Sequence, residues 1–74
     1  MNIRELQYFT ALAKLKHFGK AADFCHVSQP TLSMQLKKLE QELGVELFER
    51  NNKSVTLTAA GATLAENAQT ILQN

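Results

Sequence analysis

The stretch CHVSQPTLSMQLKKLEQELG, residues 25–44, carries the strongest local structural signals in this 74-residue chain. Ser28 is a favoured N-cap, Pro30 falls in a first turn where its missing N–H costs nothing, and Gly44 follows as a stop signal. The leucines between them, which fall within about 60° of one another on a helical wheel, are Leu32, Leu36, Leu39 and Leu43. We therefore predict a helix whose leucine stripe faces a core and whose polar first turn is uncovered.

Length, charge and cysteine usage limit what the chain can be. A domain of 74 residues buries only about 60% of its unfolded surface, so oligomerisation would add stability. No apolar run approaches the roughly 18 residues that a membrane span needs, and the single cysteine fits a reducing, cytoplasmic location. The net charge of +1 neither demands nor excludes nucleic acid, so the arrangement of the charges must decide.

Helical periodicity predicts two helices before the quoted stretch. The first covers residues 1–16, with Asn2 as its cap and Glu5 at the reciprocal capping-box position. Its apolar positions are Ile3, Leu6, Phe9 or Thr10, and Ala13. The second covers residues 18–26, with Gly19 as a modest cap and small residues for close helix contact. The joint at Val27 and Ser28 is too short for an antiparallel hairpin and predicts a sharp crossing.

After Gly44 the periodicity changes from helix to strand. Residues 45–50 and 55–58 are β-prone segments on either side of Asn51-Asn52-Lys53-Ser54, which reads as a hairpin turn. Thr58 then caps a last helix with an apolar stripe. The element order predicts a mostly α fold, a winged helix-turn-helix of three helices and a two-stranded wing, followed by a C-terminal helix.

This order assigns a function to the uncovered first turn, because a helix-turn-helix places the start of its second helix in the DNA major groove. Gln can pair with adenine, Ser and Thr with several bases, and apolar atoms with the thymine methyl, while Lys suits phosphates. The candidate DNA contacts on this helix are Gln29, Pro30, Thr31, Ser33, Met34, Lys37 and Lys38. Arg50 and Lys53 are the candidates on the wing.

Several motifs carry a family resemblance. The run AAxxxxVSQPTLSxQxxxLExELGxxLFER, followed by VTLTAAG, resembles the N-terminal domain of the LysR-type transcriptional regulators over essentially the whole chain. Within that family, MNIR, HF and AADxCHVSQPTLS are most similar to the peroxide-sensing regulators. The resemblance implies a DNA-binding domain at residues 1–58, with the helix-turn-helix at about 18–37, and a linker or dimerisation helix at 59–74. It also implies an effector domain that this chain lacks.

The resemblance further implies how such a protein works. Groove contacts carry over to residues 29–31, 33 and 34, and minor-groove or phosphate contacts to Arg50 and Lys53. It implies a regulator of oxidative-stress genes that dimerises through the last helix and forms a tetramer at full length, on double-stranded DNA with an inverted repeat. The dimerisation stripe is Ala60, Leu64, Ala68 and Ile71. The alternative is that the core of the same chain covers this stripe.

The remaining features indicate no chemistry. Cys25 lies on an apolar helix face, where a free cysteine is usually a small buried hydrophobe, and with His17 and His26 it makes no metal-ligand spacing. The acidic run of Glu40, Glu42, Glu46 and Glu49 is predicted to be a solvated face. No catalytic pair or phosphate loop stands out, so we predict no enzyme, cofactor or metal. The rival function is a winged-helix module that binds proteins.

Overall fold

The computed structural model describes residues 2–49 and 55–73, apart from the side chains of residues 69–73. Within these residues the helices are α1 (Ile3–Leu15), α2 (Phe18–Cys25), α3 (Gln29–Leu43) and α4 (Ala59–Gln73). The first three helices pack on one another, and α4 packs on α1. A short antiparallel pairing stands between α3 and α4. This is the predicted winged helix-turn-helix order with its additional C-terminal helix.

Helix α1 begins and ends with local hydrogen bonds. Asn2 Oδ1 accepts from the Glu5 N–H at 2.8 Å, and Asn2 Nδ2 donates to Glu5 Oε1 at 3.2 Å. Lys16 ends the helix in the left-handed region and donates its N–H to the Leu12 carbonyl at 2.8 Å. The predicted cap and its reciprocal partner are therefore confirmed.

The cap of α2 differs from the prediction. The N-cap is His17, whose Nδ1 accepts from the Lys20 N–H at 3.1 Å, whereas Gly19 lies inside the helix. An unprotonated ring nitrogen can accept this bond as a serine oxygen would, which the short list of preferred caps does not anticipate. His26 ends α2 in the left-handed region with φ 59°.

Helix α3 has the predicted ends. Ser28 Oγ accepts from the Thr31 N–H at 3.2 Å and donates to Thr31 Oγ1 at 2.9 Å. Gly44 ends the helix at φ 72°. A side chain there would meet no neighbour, so it is the backbone conformation, and not space, that favours glycine.

The core lies among the first three helices and the segment after α3. Its largest fully buried side chains are Phe9, Leu12, Leu32, Leu39 and Leu47. Leu36 completes the buried part of the leucine stripe. The prediction that the whole leucine stripe faces the core is wrong for Leu43, which is 38% exposed, and the apolar position Ile3 of α1 is 54% exposed. Both residues lie at the end of a helix, beyond the neighbouring elements that cover the rest of its apolar face.

The base of the wing is paired as predicted, over a shorter length. Glu49 donates its N–H to the Thr56 carbonyl at 2.8 Å, and Thr58 donates to the Leu47 carbonyl at 3.0 Å. Phe48 stands opposite Leu57 between these two bonds, and its ring packs on Phe9 with centroids 5.5 Å apart. The predicted turn at 51–54 lies outside the described residues.

Helix α4 starts on the wing. Thr58 Oγ1 accepts from the Gly61 N–H at 3.0 Å, as the predicted cap, and donates to the Glu46 carbonyl at 2.6 Å. A β-carbon at Gly61 would overlap the Leu47 carbonyl oxygen. Glycine at this position therefore allows the first turn of α4 to lie directly on the backbone of the wing.

Candidate nucleic-acid interface

The start of α3 presents an exposed polar face, held in place by its cap. Gln29 and Pro30 are exposed, Thr31 and Ser33 are half-buried, and Met34 is 62% exposed. Because the Ser28 cap bonds both the N–H and the hydroxyl of Thr31, the backbone of this turn is fixed before any ligand arrives. Of the predicted groove contacts, Gln29, Pro30, Ser33 and Met34 line the grooves on this surface, whereas Thr31 is not among their lining residues.

Two shallow, open grooves lie on this surface. One open groove of about 440 Å³ is lined by Pro30, Ser33, Met34, Lys37, Lys38 and Gln41. A second, of about 650 Å³, lies at the start of the helix and is lined by Phe18, Gln29, Pro30 and Ser33. The two grooves are adjacent, because both are lined by Pro30 and Ser33. No carboxylate is among these lining residues, whereas Lys37 and Lys38 both are.

Phe18 is a lining residue that the sequence analysis did not propose. It is the first residue of α2, 37% exposed, and borders the same groove as Gln29. A β-carbon at the next residue, Gly19, would lie 3.3 Å from Gln29 Nε2. The first turn of α2 therefore forms one wall beside Gln29. The available signal was an aromatic residue at a helix start, which also fits a core position.

The acidic run that follows the exposed polar face of α3 is not the uniformly solvated face that was predicted. Glu42, Glu46 and Glu49 are exposed, but Glu40 is buried. Glu40 Oε2 accepts from the Leu47 N–H at 2.7 Å and from the Phe48 N–H at 3.4 Å. The prediction was wrong for Glu40 because periodicity places it beside the leucine stripe without showing which backbone it meets.

The proposed wing contacts, Arg50 and Lys53, lie outside the described residues and stay predictions. At the described base of the wing, residues 47–49 and 56–58 lie side by side. The Leu47 carbonyl and the Glu49 N–H bond to the opposite segment.

The proposed dimerisation stripe on α4 is partly covered within the chain. Ala68 is fully buried, and Leu64 is half-buried with its side chain packed against the core. Ala60 is half-buried, and the side chain of Ile71 lies outside the described residues. Ala68 is thus covered within the single chain. This agrees with the alternative that the core of the same chain covers the stripe. Dimerisation through the other positions stays a prediction.

Cys25 has the environment of a structural cysteine. It is half-buried against the core, and burial raises the pKa of its thiol. A raised pKa keeps the thiol protonated and therefore poorly nucleophilic. Among the described residues no group of His, Cys, Asp and Glu side chains could hold a metal ion. No helix in the described part of the chain is long and apolar enough to span a bilayer.

Comparison with protein families decides the classification. Residues 3–62 match the bacterial regulatory helix-turn-helix proteins of the lysR family. The chain belongs to this family. The members are transcriptional regulators, so the prediction that the chain is not an enzyme is confirmed.

Individual relatives agree with the resemblance to peroxide regulators. The chain is 59% identical over 73 residues to the hydrogen peroxide-inducible genes activator of Pectobacterium carotovorum, covering 99% of this chain and 24% of the relative. A full-length OxyR variant from Pseudomonas aeruginosa superimposes with a TM-score of 0.93 at 53% identity, over 97% of this chain and 24% of that one. The chain therefore spans about a quarter of the length of these relatives.

A solved DNA complex is also similar. The BenM DNA-binding domain bound to benA site 1 DNA superimposes with a TM-score of 0.96 at 40% identity, covering 100% of this chain and 83% of that one.

Proposed function

We propose that this chain is a sequence-specific DNA-binding domain that inserts the start of α3 into the major groove of double-stranded DNA. The observation that carries the proposal is the exposed first turn of α3, which the Ser28 cap holds in place. Lys37 and Lys38, and no carboxylate, are among the described residues that line the shallow surface beside it. The similarity of the whole chain to a domain solved on DNA supports it.

Each part of the surface has a chemical task in this proposal. Gln29 offers an amide that can pair with both major-groove positions of adenine, Ser33 a hydroxyl that suits several bases, and Met34 an apolar end for a thymine methyl. Lys37 and Lys38 contact phosphates, which fixes the orientation of the helix without reading sequence. The partial positive charge of the helix start adds to the attraction for the backbone.

The wing extends the contact in the same proposal. In it, Lys53 and Arg50 reach the minor groove or the phosphates that flank the α3 site. Narrow A·T-rich minor grooves concentrate negative potential, which attracts such cations. Preference for A·T steps beside the major-groove site follows.

We also propose a two-fold pair of chains that associates through α4. A pair holds two α3 helices about one DNA turn apart, roughly 34 Å, and so selects an inverted repeat. Leu64 and Ala60 are the described stripe residues with surface left for a partner. The full-length protein is proposed to form a tetramer and to be cytoplasmic.

The biological role is proposed from the relatives, whose names describe activation of hydrogen peroxide-inducible genes. A full-length protein containing this domain would regulate genes of the oxidative-stress response. Cys25 has no part in sensing here, since its burial and raised thiol pKa disfavour oxidation. In this proposal, sensing is a task of the rest of the full-length protein.

The rival function is a module that docks on proteins. The salt dependence of DNA affinity distinguishes the two functions. A duplex selected from a random-sequence library is titrated with the chain at several salt concentrations. For a DNA-binding domain, log affinity falls linearly with log salt, with a slope near −0.9 for each phosphate neutralised. Failure to select or bind any duplex would favour the docking module.

A further inference from the structure

The carboxylate of Glu40 connects α3 to the backbone of the wing through hydrogen bonds. Glu40 belongs to α3, is buried, and accepts hydrogen bonds from two successive backbone N–H groups, those of Leu47 and Phe48. The same helix carries Ser33 two turns earlier, so a bond to Glu40 ties its partner backbone to the helix that bears the DNA-facing turn. Glu40 is therefore a direct mechanical link between the DNA-facing turn of α3 and the chain that enters the wing.

Glu40 bonds a backbone N–H of the wing that the pairing between the two wing segments leaves without a partner. Residues 47–49 pair with residues 56–58 through two backbone bonds, from the Glu49 N–H to the Thr56 carbonyl and from the Thr58 N–H to the Leu47 carbonyl. These two bonds lie on either side of Phe48. Phe48 lies opposite Leu57 as a non-hydrogen-bonded pair, so the Phe48 N–H points away from residues 56–58. Glu40 satisfies this outward N–H, which an edge strand would otherwise leave for water or another chain.

We propose that Glu40 is a positioning residue for DNA binding, because it sets where the wing stands relative to α3. It contacts no DNA itself. A carboxylate oxygen accepts stronger bonds from N–H groups than an amide oxygen would. The two bonds from Leu47 and Phe48 hold the backbone that enters the wing at a fixed place along α3. The wing then reaches the flanking groove while α3 reads its bases.

The competing explanation is that Glu40 only stabilises the fold. Phe48 packs on Phe9, and the Leu47 side chain is fully buried, so the core also holds this segment. A purely structural Glu40 would change the fraction of folded protein and leave the contacts of the folded protein alone. A positioning Glu40 changes how much the wing contributes once the protein is folded.

A double-mutant cycle distinguishes these explanations, and it rests on the proposed DNA-binding function. Glu40→Ala, Lys53→Ala and the double variant are titrated with the selected duplex, and affinities are corrected for the folded fraction from thermal unfolding. Glu42→Gln, exposed on the same helix, is the matched control. Because Glu40→Ala can prevent folding, Glu40→Gln, which keeps one acceptor oxygen, is carried through the same cycle.

If Glu40 positions the wing, Lys53→Ala weakens the binding of the parent chain several-fold but changes affinity by less than about twofold in Glu40→Ala, since coupled sites are not additive. In Glu40→Gln, whose amide oxygen still accepts but makes weaker bonds, the Lys53 effect is smaller than in the parent chain. Glu42→Gln leaves the Lys53 effect intact. Equal Lys53 effects in all backgrounds, including no effect in any, would overturn the proposal. Failure of the parent chain to bind any duplex would instead overturn the proposed function.

Discussion

At the scale of single residues, the sharpest expectation concerns the Gln29 amide. Gln29 is exposed at the start of α3 beside the wall formed by Phe18. Gln29→Ala should cost roughly 1–3 kcal/mol of binding free energy on the selected duplex and relax the preference at one base position. Gln7→Ala, an exposed amide on α1, should change neither quantity. Equal weakening on selected and random duplexes would show that Gln29 does not read a base.

Cys25 gives a prediction about pH. Burial raises the pKa of this thiol above its ordinary value, and only the thiolate is alkylated. The rate of reaction with iodoacetamide should therefore rise with pH around a midpoint higher than that of the same chain unfolded in urea. Because the comparison uses midpoints, limited access to Cys25 does not affect it. A folded midpoint at or below the unfolded one would indicate an activated cysteine instead.

At the scale of elements, Gly61 tests how α4 is seated on the wing. Replacing a helical glycine by alanine normally stabilises a helix by about 1 kcal/mol. Gly61→Ala should instead destabilise the protein by roughly 1–3 kcal/mol, because the β-carbon meets the Leu47 carbonyl oxygen. Ala62→Gly, exposed one residue later, should cost only the ordinary propensity difference. Chemical denaturation measures both; a stabilised Gly61→Ala would contradict this packing.

The elements that sequence predicts well are those set by neighbouring residues. Asn2, Ser28 and Thr58 each cap the turn that follows them, so the donor and acceptor are three residues apart and visible in the sequence. The existence of the wing followed from β-prone segments around an asparagine turn. These signals are local. The structure confirms the caps and the pairing of Phe48 with Leu57 at the base of the wing, whereas the asparagine turn lies outside the described residues.

What the sequence did not reveal depends on contacts between distant segments. The role of Glu40 requires knowing that the backbone at Leu47 returns to α3. The burial of Ala68 requires knowing that α4 packs on α1. His17 is a different case, because its cap is local but histidine is an uncommon acceptor there. Periodicity identified a surface on α3 but could not include Phe18 from another helix.

At the scale of the whole molecule, the central expectation is association. The chain should sediment as a dimer at high micromolar concentration, and its selected site should be an inverted repeat. Leu64→Glu should yield a monomer that binds the selected duplex weakly. Because Leu64 also packs against the core, its folding must be checked by thermal unfolding. Asn67→Glu places the same charge at an exposed position and should stay dimeric. A monomeric parent chain would exclude the inverted-repeat geometry.

The central claim is that the start of α3 reads DNA sequence, and one measurement tests it most directly. Fluorescence anisotropy at physiological salt compares the affinity of the chain for the selected duplex with its affinity for a scrambled duplex of the same composition. The account predicts a ratio on the order of 10³ or more, the range of specific protein–DNA complexes. Equal affinities would mean that the charged surface of α3 binds the backbone alone, and would contradict the claim.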